Sequence, residues 1–517
     1  MKKLICAAAL LAAGVGLADE DANDPILPGW GKYYWNPKAR WYIHPPAFAF
    51  TNVEGAVAYR YRVIDDALVE HVFADTTPNA SLKPVWAKLP AKGMTAVYCR
   101  GVDAQGRELA LAGSARFWKN APFAPGKYAP AKRSYAEAAR KANEYVFALP
   151  SLKVLAETGK PDFSYRLNCY PAKMNASVIR AAVGYAKQVP SRKDEMLKVA
   201  RAAADYLISV SEPAGTPLAH FAPTYAEGNK NYTAGRYAGQ HMLIYPADAA
   251  GAYLTLYEST KDVKYLQAAE AVASTYLKLQ GEDGTWYLKM WAKDGRSVNS
   301  NRLFPLQVCS LLERLYALTG KKAYRQASDR AFAYVEKGPL ANWNWEGQFE
   351  DVEPTAMYQN LTKHPACATA MYLLKRYPDD PARLAQAREL VRFSEDQFIA
   401  WERPCREDGS AWLGQKGYDP RRWTTFPTVM EQYHWYVPTD ASVAKLIRTF
   451  LAMYRATKES VYLAKAKALG DAFTNVQEES GRIPTQWMEG VWMTDPQTDW
   501  MNCMIASAGA LEELSQH

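Results

Sequence analysis

The chain has 517 residues and a formal net charge of +8, spread without basic runs, so it lacks the Lys/Arg clustering of a nucleic-acid binder. Seven cysteines are too few and too scattered for a disulfide scaffold. Apart from Cys6 they lie at Cys99, Cys169, Cys309, Cys367, Cys405 and Cys503, and buried free thiols are the expectation even where export would permit pairing.

The N-terminus reads Met1-Lys2-Lys3, an apolar run from Leu4 to Leu17, Ala18, and then Asp19-Glu20-Asp21. This is the pattern of a signal peptide over 1–18, which implies export to a periplasm or the cell exterior. Cys6 lies close to the start for a lipid-attachment site, and lipidation stays open as the lesser alternative. No later stretch approaches the ~20 apolar residues of a membrane span.

Residues 19–125 read as a small β-sandwich accessory domain with its linker. Alternating segments such as Ala58-Tyr59-Arg60-Tyr61-Arg62-Val63 and Ala96-Val97-Tyr98-Cys99 are separated by turns such as Asp103-Ala104-Gln105-Gly106. The stretch Pro122 to Pro130 marks the linker. From 126 to 517 the period becomes helical and a repeat emerges. Tyr257-Glu-Ser-Thr260 leads to Tyr265, Tyr316-Ala-Leu-Thr319 to Tyr324, and Tyr454-Arg-Ala-Thr457 to Tyr462, with identical spacing. Each second Tyr opens an apolar helical stripe, such as Tyr265, Ala269, Val272, Tyr276 and Leu279.

The stripes predict twelve helices: 134–149, 174–189, 194–211, 240–259, 263–280, 303–319, 322–337, 361–377, 381–399, 440–457, 459–477 and 499–515. Pairing the last with the first closes six hairpins into an (α/α)6 barrel. Short links such as Gly320-Lys321 alternate with long ones at 212–239, 281–302, 338–360, 400–439 and 478–498. In a ring of antiparallel hairpins every second link lies on one face, so the long loops gather there. Long loops in compact domains are commonly functional.

Those loops carry acids among aromatics. One runs from Asn342 through Trp345, Gln348, Glu350 and Asp351 to Asn360 and His364; others hold Glu395-Asp396-Gln397-Phe398 with Trp401-Glu402, Glu431-Gln432-Tyr433-His434-Trp435-Tyr436, and Asp499-Trp500-Met501-Asn502. Two carboxyls across one cleft perform glycoside hydrolysis, one protonating the leaving oxygen while the other activates water or attacks. Glu350, Asp351 and Glu431 are the catalytic candidates. Because Glu350 and Asp351 are adjacent, one of them faces substrate and the other braces the loop; Glu431 equally suits a loop cap. Substrate-binding candidates are Arg236, His241, Trp345, Gln348, His364, Asp396, Tyr433, His434, Trp500 and Asn502, with Tyr225, Asn231 and Tyr232 in the same loop as Arg236. For Asp396 a structural hydrogen bond at a helix end competes with site lining, and for His364 core packing does. Inner helices begin where long loops end, so their N-termini favour anions. With Arg236 and His241 near one such start, a uronic-acid-containing substrate is expected. No His-Glu-x-x-His, spaced Cys/His set or calcium-loop pattern occurs, so neither metal nor cofactor is expected. There is no nucleotide loop and no Gly-x-Ser-x-Gly elbow. The expected partner is an oligo- or polysaccharide, with homo-oligomerisation left open.

The segment Leu254-Thr-Leu-Tyr257-Glu-Ser-Thr260, with Tyr265-Leu266 and Leu279-Gln280-Gly-Glu-Asp-Gly284-Thr285-Trp286, resembles the six-hairpin glycosidase superfamily over roughly 130–517. Gly347-Gln348-Phe349-Glu350-Asp351, Glu395-Asp396-Gln397-Phe398 and Glu431-Gln432-Tyr433 look most like glycoside hydrolase family 154, and that resemblance implies a β-glucuronidase. Two other classes stay open. A polysaccharide lyase on the same toroid would use Tyr433, His434, His364 and Asn502, and a glycan-binding protein would need no catalytic carboxyl.

Overall fold

A computed structural model describes residues 39, 41–226, 236–353, 355–405, 419–433, 437–490 and 499–517. The expected signal peptide lies outside the described residues, as do Asn231, Tyr232, His434, Trp435 and Tyr436.

Strands β1 (Trp41–Tyr42), β2 (Ala58–Ile64), β3 (Glu70–Asp75), β4 (Gly93–Val102) and β5 (Glu108–Lys119) form one sheet in the order β1-β5-β4-β2-β3. Its pairs are antiparallel except β1 with β5. The period of two divides its faces. Tyr59, Tyr61 and Val63 are buried, while Arg60 and Arg62 point outward to Glu108 and Glu70. Covering the inner side are Tyr42, Phe48 and Phe117, with Trp86 of the short helix Lys83–Trp86 stacked on Phe117.

Among the described residues twelve helices build the ring: α1 (Tyr135–Ala148), α2 (Pro171–Gln188), α3 (Lys193–Ser209), α4 (Tyr245–Thr260), α5 (Val263–Leu279), α6 (Leu306–Thr319), α7 (Lys322–Lys337), α8 (Lys363–Arg376), α9 (Pro381–Phe398), α10 (Asp440–Thr457), α11 (Ser460–Val476) and α12 (Met501–Leu514), with two shorter helices, Pro150–Thr158 and Pro339–Asn342, inside long links. Even-numbered helices pack neighbour to neighbour in an inner circle, and each pairs with an odd-numbered outer one; α12 pairs with α1 and also touches α2, which closes the ring. Proline in the first turn of α2, α4 and α9 costs no hydrogen bond, because those N–H groups have no helical partner. The largest shift of a start from expectation is at residues 240–242, which form strand β6 (Gln240–Met242), paired with β7 (Lys289–Trp291), so that the helix begins at Tyr245. The apolar run His241-Met242-Leu243-Ile244 fits either period, and a partner strand distant in sequence decides it.

The repeat has a physical reason. Thr260, Thr319 and Thr457 each donate to the carbonyl four residues back and accept a backbone N–H two residues on. The intervening residue, Lys261, Gly320 or Lys458, is left-handed and caps the helix through the carbonyl of Tyr257, Tyr316 or Tyr454. Each second Tyr then ties neighbouring outer helices together: Tyr265 to Asp205, Tyr324 to Glu270, and Tyr462 to Arg388.

Ring closure reuses an internal joint. Gln280 donates to Gly284 O and, on α7, to Ala327 O; Gln477 donates to Gly481 O and, on α1, to Ala138 O. Gly284 (φ 91°) and Gly481 (φ 95°) are left-handed, and a Cβ there would collide with the carbonyls of Arg330 and Lys141. Gly481→Ala is therefore expected to cost more than about 1 kcal/mol; urea unfolding that leaves the midpoint unmoved would contradict this.

The links at 189–192, 261–262, 320–321, 377–380 and 458–459 are short, and those at 149–170, 210–244, 280–305, 338–362, 399–439 and 477–500 are long. All six long ones lead into inner helices. No described helix is long and apolar enough to cross a membrane.

Candidate functional site

A cavity of about 420 Å³ opens on the long-loop face along the ring axis. Every inner helix contributes first-turn residues to it: Lys173, Tyr245, Gln307, His364, Ala441 and Asn502. One turn deeper lie Ser177, Asp248, Ala368, Lys445 and Ala506. Six helix N-termini thus converge on one space, and their partial positive charges add. Of the sequence candidates, Glu350, Asp351, Glu431, Gln348, His364, Trp500 and Asn502 line it.

The three acids have different surroundings. Glu350 is buried, with Oε1 accepting from Lys173 Nζ at 2.5 Å, Oε2 accepting from the Tyr245 hydroxyl, and its carbonyl accepting from Tyr225 at 2.8 Å. Burial pushes the Glu350 carboxyl up, but the Lys173 ammonium and the two donated hydrogen bonds outweigh it and hold the group below the usual carboxylate range. Lys173 itself lies 4.1 Å over the Trp500 ring. Glu350 is thereby fixed in the ionised state and fully engaged.

Asp351 and Glu431 are unlike it. Neither carboxyl accepts a hydrogen bond from another described residue, and both residues line the cavity. Asp351 is open to solvent in the cavity mouth yet walled by protein; burial and the neighbouring Glu350 charge push it up to about 6. Glu431 is pushed up to about 7, mainly by burial and in part by Asp351 and Glu350, against the pull of Lys363 and Lys173.

The loops holding these acids are cross-linked. Asn360 Nδ2 donates to Gln432 Oε1 at 2.9 Å, and Thr362 donates to Glu431 O at 2.7 Å. Lys363, fully buried, donates to the carbonyls of Met430 and Glu431 at 3.0 and 2.9 Å and to the Ser442 hydroxyl. His364 packs edge-on against Phe349. Burial first, and then the charges of Lys363, Lys445 and Lys173, hold its pKa well below the ordinary imidazole value, so it is neutral. Lys445 has no ion pair among the described residues, and burial lowers its pKa.

Sequence reasoning did not single out Lys173, Tyr245, Lys363 or Lys445. The available signal was a lysine in the first turn of an inner helix entered from a long loop, as at Lys173 and Lys363.

Five candidates lie elsewhere. Asp396, at the end of α9, accepts from the Ile43 and His44 amides at 2.7 and 2.9 Å, which fastens the β-sheet domain to the ring with help from Gln397 and Trp41. Tyr433 is buried, donating to Gln397 at 2.5 Å. Trp345 is buried between Phe304 and Trp343. His241 sits on β6, buried and 2.9 Å from Glu212, and Arg236 is exposed with its guanidinium over Tyr237. In each, hydrogen bonding or packing outside the cavity wall takes the side chain. The six cysteines among the described residues are free thiols, five of them buried, and Cys503 lines the cavity.

No family model matches the chain, and no curated protein matches it. Solved structures do. A family 76 glycoside hydrolase from a bovine Bacteroides thetaiotaomicron strain is similar at 13% identity and TM-score 0.47, over 92% of this chain and 98% of that one. The cellobiose 2-epimerase of Spirochaeta thermophila shares 14% identity at TM-score 0.47, over 73% of this chain and 98% of that one. An unsaturated glucuronyl hydrolase specific for heparin shares 10% identity at TM-score 0.44, over 74% and 97%.

Proposed function

We propose that the axial cavity hydrolyses the glycosidic bond of an acidic, uronate-type sugar, in the manner of the β-glucuronidase that the family 154 resemblance implies. The observation that carries this is the pair Asp351 and Glu431: two carboxyls that accept no hydrogen bond from another described residue, lining one cavity, both displaced upward and unequally. Environments that drive two carboxyls apart assign acid and base. Glu431, with the higher value, delivers its proton to the leaving oxygen. Asp351, ionised, takes a proton from water or attacks the anomeric carbon. Glu350 stays charged and orients Lys173 and Tyr245. The acidic substituent of the sugar meets the converging helix N-termini, Lys173 and Lys445. The leader at 1–18 is in keeping with an exported enzyme acting on oligo- or polysaccharides.

The pH dependence is set by the pair. Turnover requires Asp351 ionised and Glu431 protonated, so kcat/KM is expected to rise as pH passes about 6 and to fall beyond about 7. A profile still rising well above pH 7 would contradict it. An aryl glucuronide assayed across pH provides the measurement.

One observation supports a second reading, a lyase. His364 is a neutral imidazole on the cavity wall, the state required of a base abstracting the proton beside a uronate carboxylate. Tyr433, engaged with Gln397, offers no base to that reaction. An unsaturated product from a uronate polymer would favour this reading over hydrolysis.

A further inference from the structure

Beside the axial cavity a second pocket of about 250 Å³ opens, sharing Phe304, Gln348 and Pro365 with it as a partition. Gln348 is fixed in that partition: it accepts from Phe304 N at 2.9 Å and donates to Arg302 O at 2.7 Å. The pocket is walled by Ser300 and Arg302 from one long loop and by Asn342, Asn344, Trp345 and Glu346 from the next.

Two donors in these walls, Trp345 Nε1 and Arg302 Nε, are buried without a partner among the described residues, and the Trp345 side chain is 0% exposed. A buried donor left without an acceptor is unfavourable, so an acceptor oxygen brought by a ligand recovers that loss. Burial pushes Glu346 up to about 7 against the pull of the backbone N–H groups of Asn360, Gln359 and Tyr358, so near neutrality it too offers a proton. Arg302 is already paired with Asp283, which leaves no uncompensated cation calling for an anion. Apolar surface from Leu288, Phe304 and Tyr334 completes the enclosure. Hydrogen-bond donors set around apolar surface, without net charge, suit an uncharged pyranose ring.

We propose that this side pocket is the subsite for the leaving-group sugar, a neutral pyranose whose hydroxyl or acyl oxygens accept from Trp345 and Arg302. The assignment rests on the axial cavity being the place where the acidic sugar is cleaved. Substrates would then be discriminated by the sugar to which the uronate is attached.

Ser300 is exposed at the pocket wall, so Ser300→Trp fills the space at little risk to folding. The ratio of kcat/KM for a glucuronyl disaccharide to that for 4-nitrophenyl glucuronide is expected to fall about tenfold in Ser300→Trp, and several-fold in Trp345→Phe, which keeps an aromatic ring but not the N–H. Ratios unchanged in both variants overturn the proposal. A binding measurement separates this claim from the cleavage reading: calorimetric titration of Glu431→Gln with the disaccharide and with glucuronic acid. Tighter disaccharide binding, lost on adding Ser300→Trp, upholds the subsite even if the wild type cleaves neither compound. Equal affinity for the two sugars overturns it whatever the activity.

Discussion

Glu431→Gln is expected to lower kcat/KM on an aryl glucuronide by about 10²–10⁴-fold, with the folded state retained. The amide keeps the shape of the side chain and the hydrogen bonds of the residue's backbone, because Thr362 and Lys363 hold Glu431 through its carbonyl rather than its carboxyl. What disappears is the proton for the leaving oxygen. The loss should be smaller for a substrate whose leaving group needs little protonation, such as a dinitrophenyl glycoside. That difference is what distinguishes a general acid from a residue that merely braces the loop. Equal activity of Glu431→Gln and wild type would remove Glu431 from the mechanism.

Lys173→Met is expected to act on stability more than any other single change at the site. It removes the ammonium that keeps Glu350 ionised in a buried position. Breaking one side of a buried pair typically costs about 3–5 kcal/mol, because the remaining charge is left uncompensated. The pH dependence carries the sign. In the wild type the folded-state value of Glu350 lies below its unfolded value. Its contribution is therefore fully present above the ordinary carboxylate range and is lost as pH falls through the depressed folded value. Without Lys173, burial dominates and the folded value rises above the unfolded one. The variant then keeps most of its stability in acid and loses it as pH climbs through that raised value. Chemical denaturation of both proteins across the acid range should show opposite slopes; parallel slopes would mean that the pair does not control Glu350.

Much of the ring was legible because its signals are local. The Tyr-x-x-Thr spacing marks a helix end whose hydroxyl and left-handed next residue turn the chain within a few positions, and such geometry leaves a fixed imprint on sequence. Link lengths then sort the faces without any knowledge of packing. The strand at Gln240–Met242 was not legible, since its partner at Lys289–Trp291 lies in a different loop.

The same division runs through the site. Acids in long loops stand out, and Glu350, Asp351 and Glu431 do share the cavity. Residues whose role depends on what packs opposite do not stand out. Asp396 lies among aromatics in a pattern identical in kind to that of Glu431, yet its partners are the backbone amides of Ile43 and His44, just past β1 and more than 350 residues away in sequence. Lys363 is indistinguishable from a surface lysine until α10 and the Met430–Glu431 carbonyls surround it. Tertiary hydrogen bonds, which no helical or strand period encodes, decide both.

Proton NMR of a glucuronate-ended oligosaccharide digested by the wild-type chain and by Glu431→Gln tests the proposed hydrolytic centre most directly. Hydrolysis at the Asp351–Glu431 pair predicts free glucuronic acid with intact ring protons and matching reducing-end signals from the remaining sugar, all absent with Glu431→Gln. A vinyl proton of a 4,5-unsaturated product, or glucuronic acid released equally by both proteins, would contradict it.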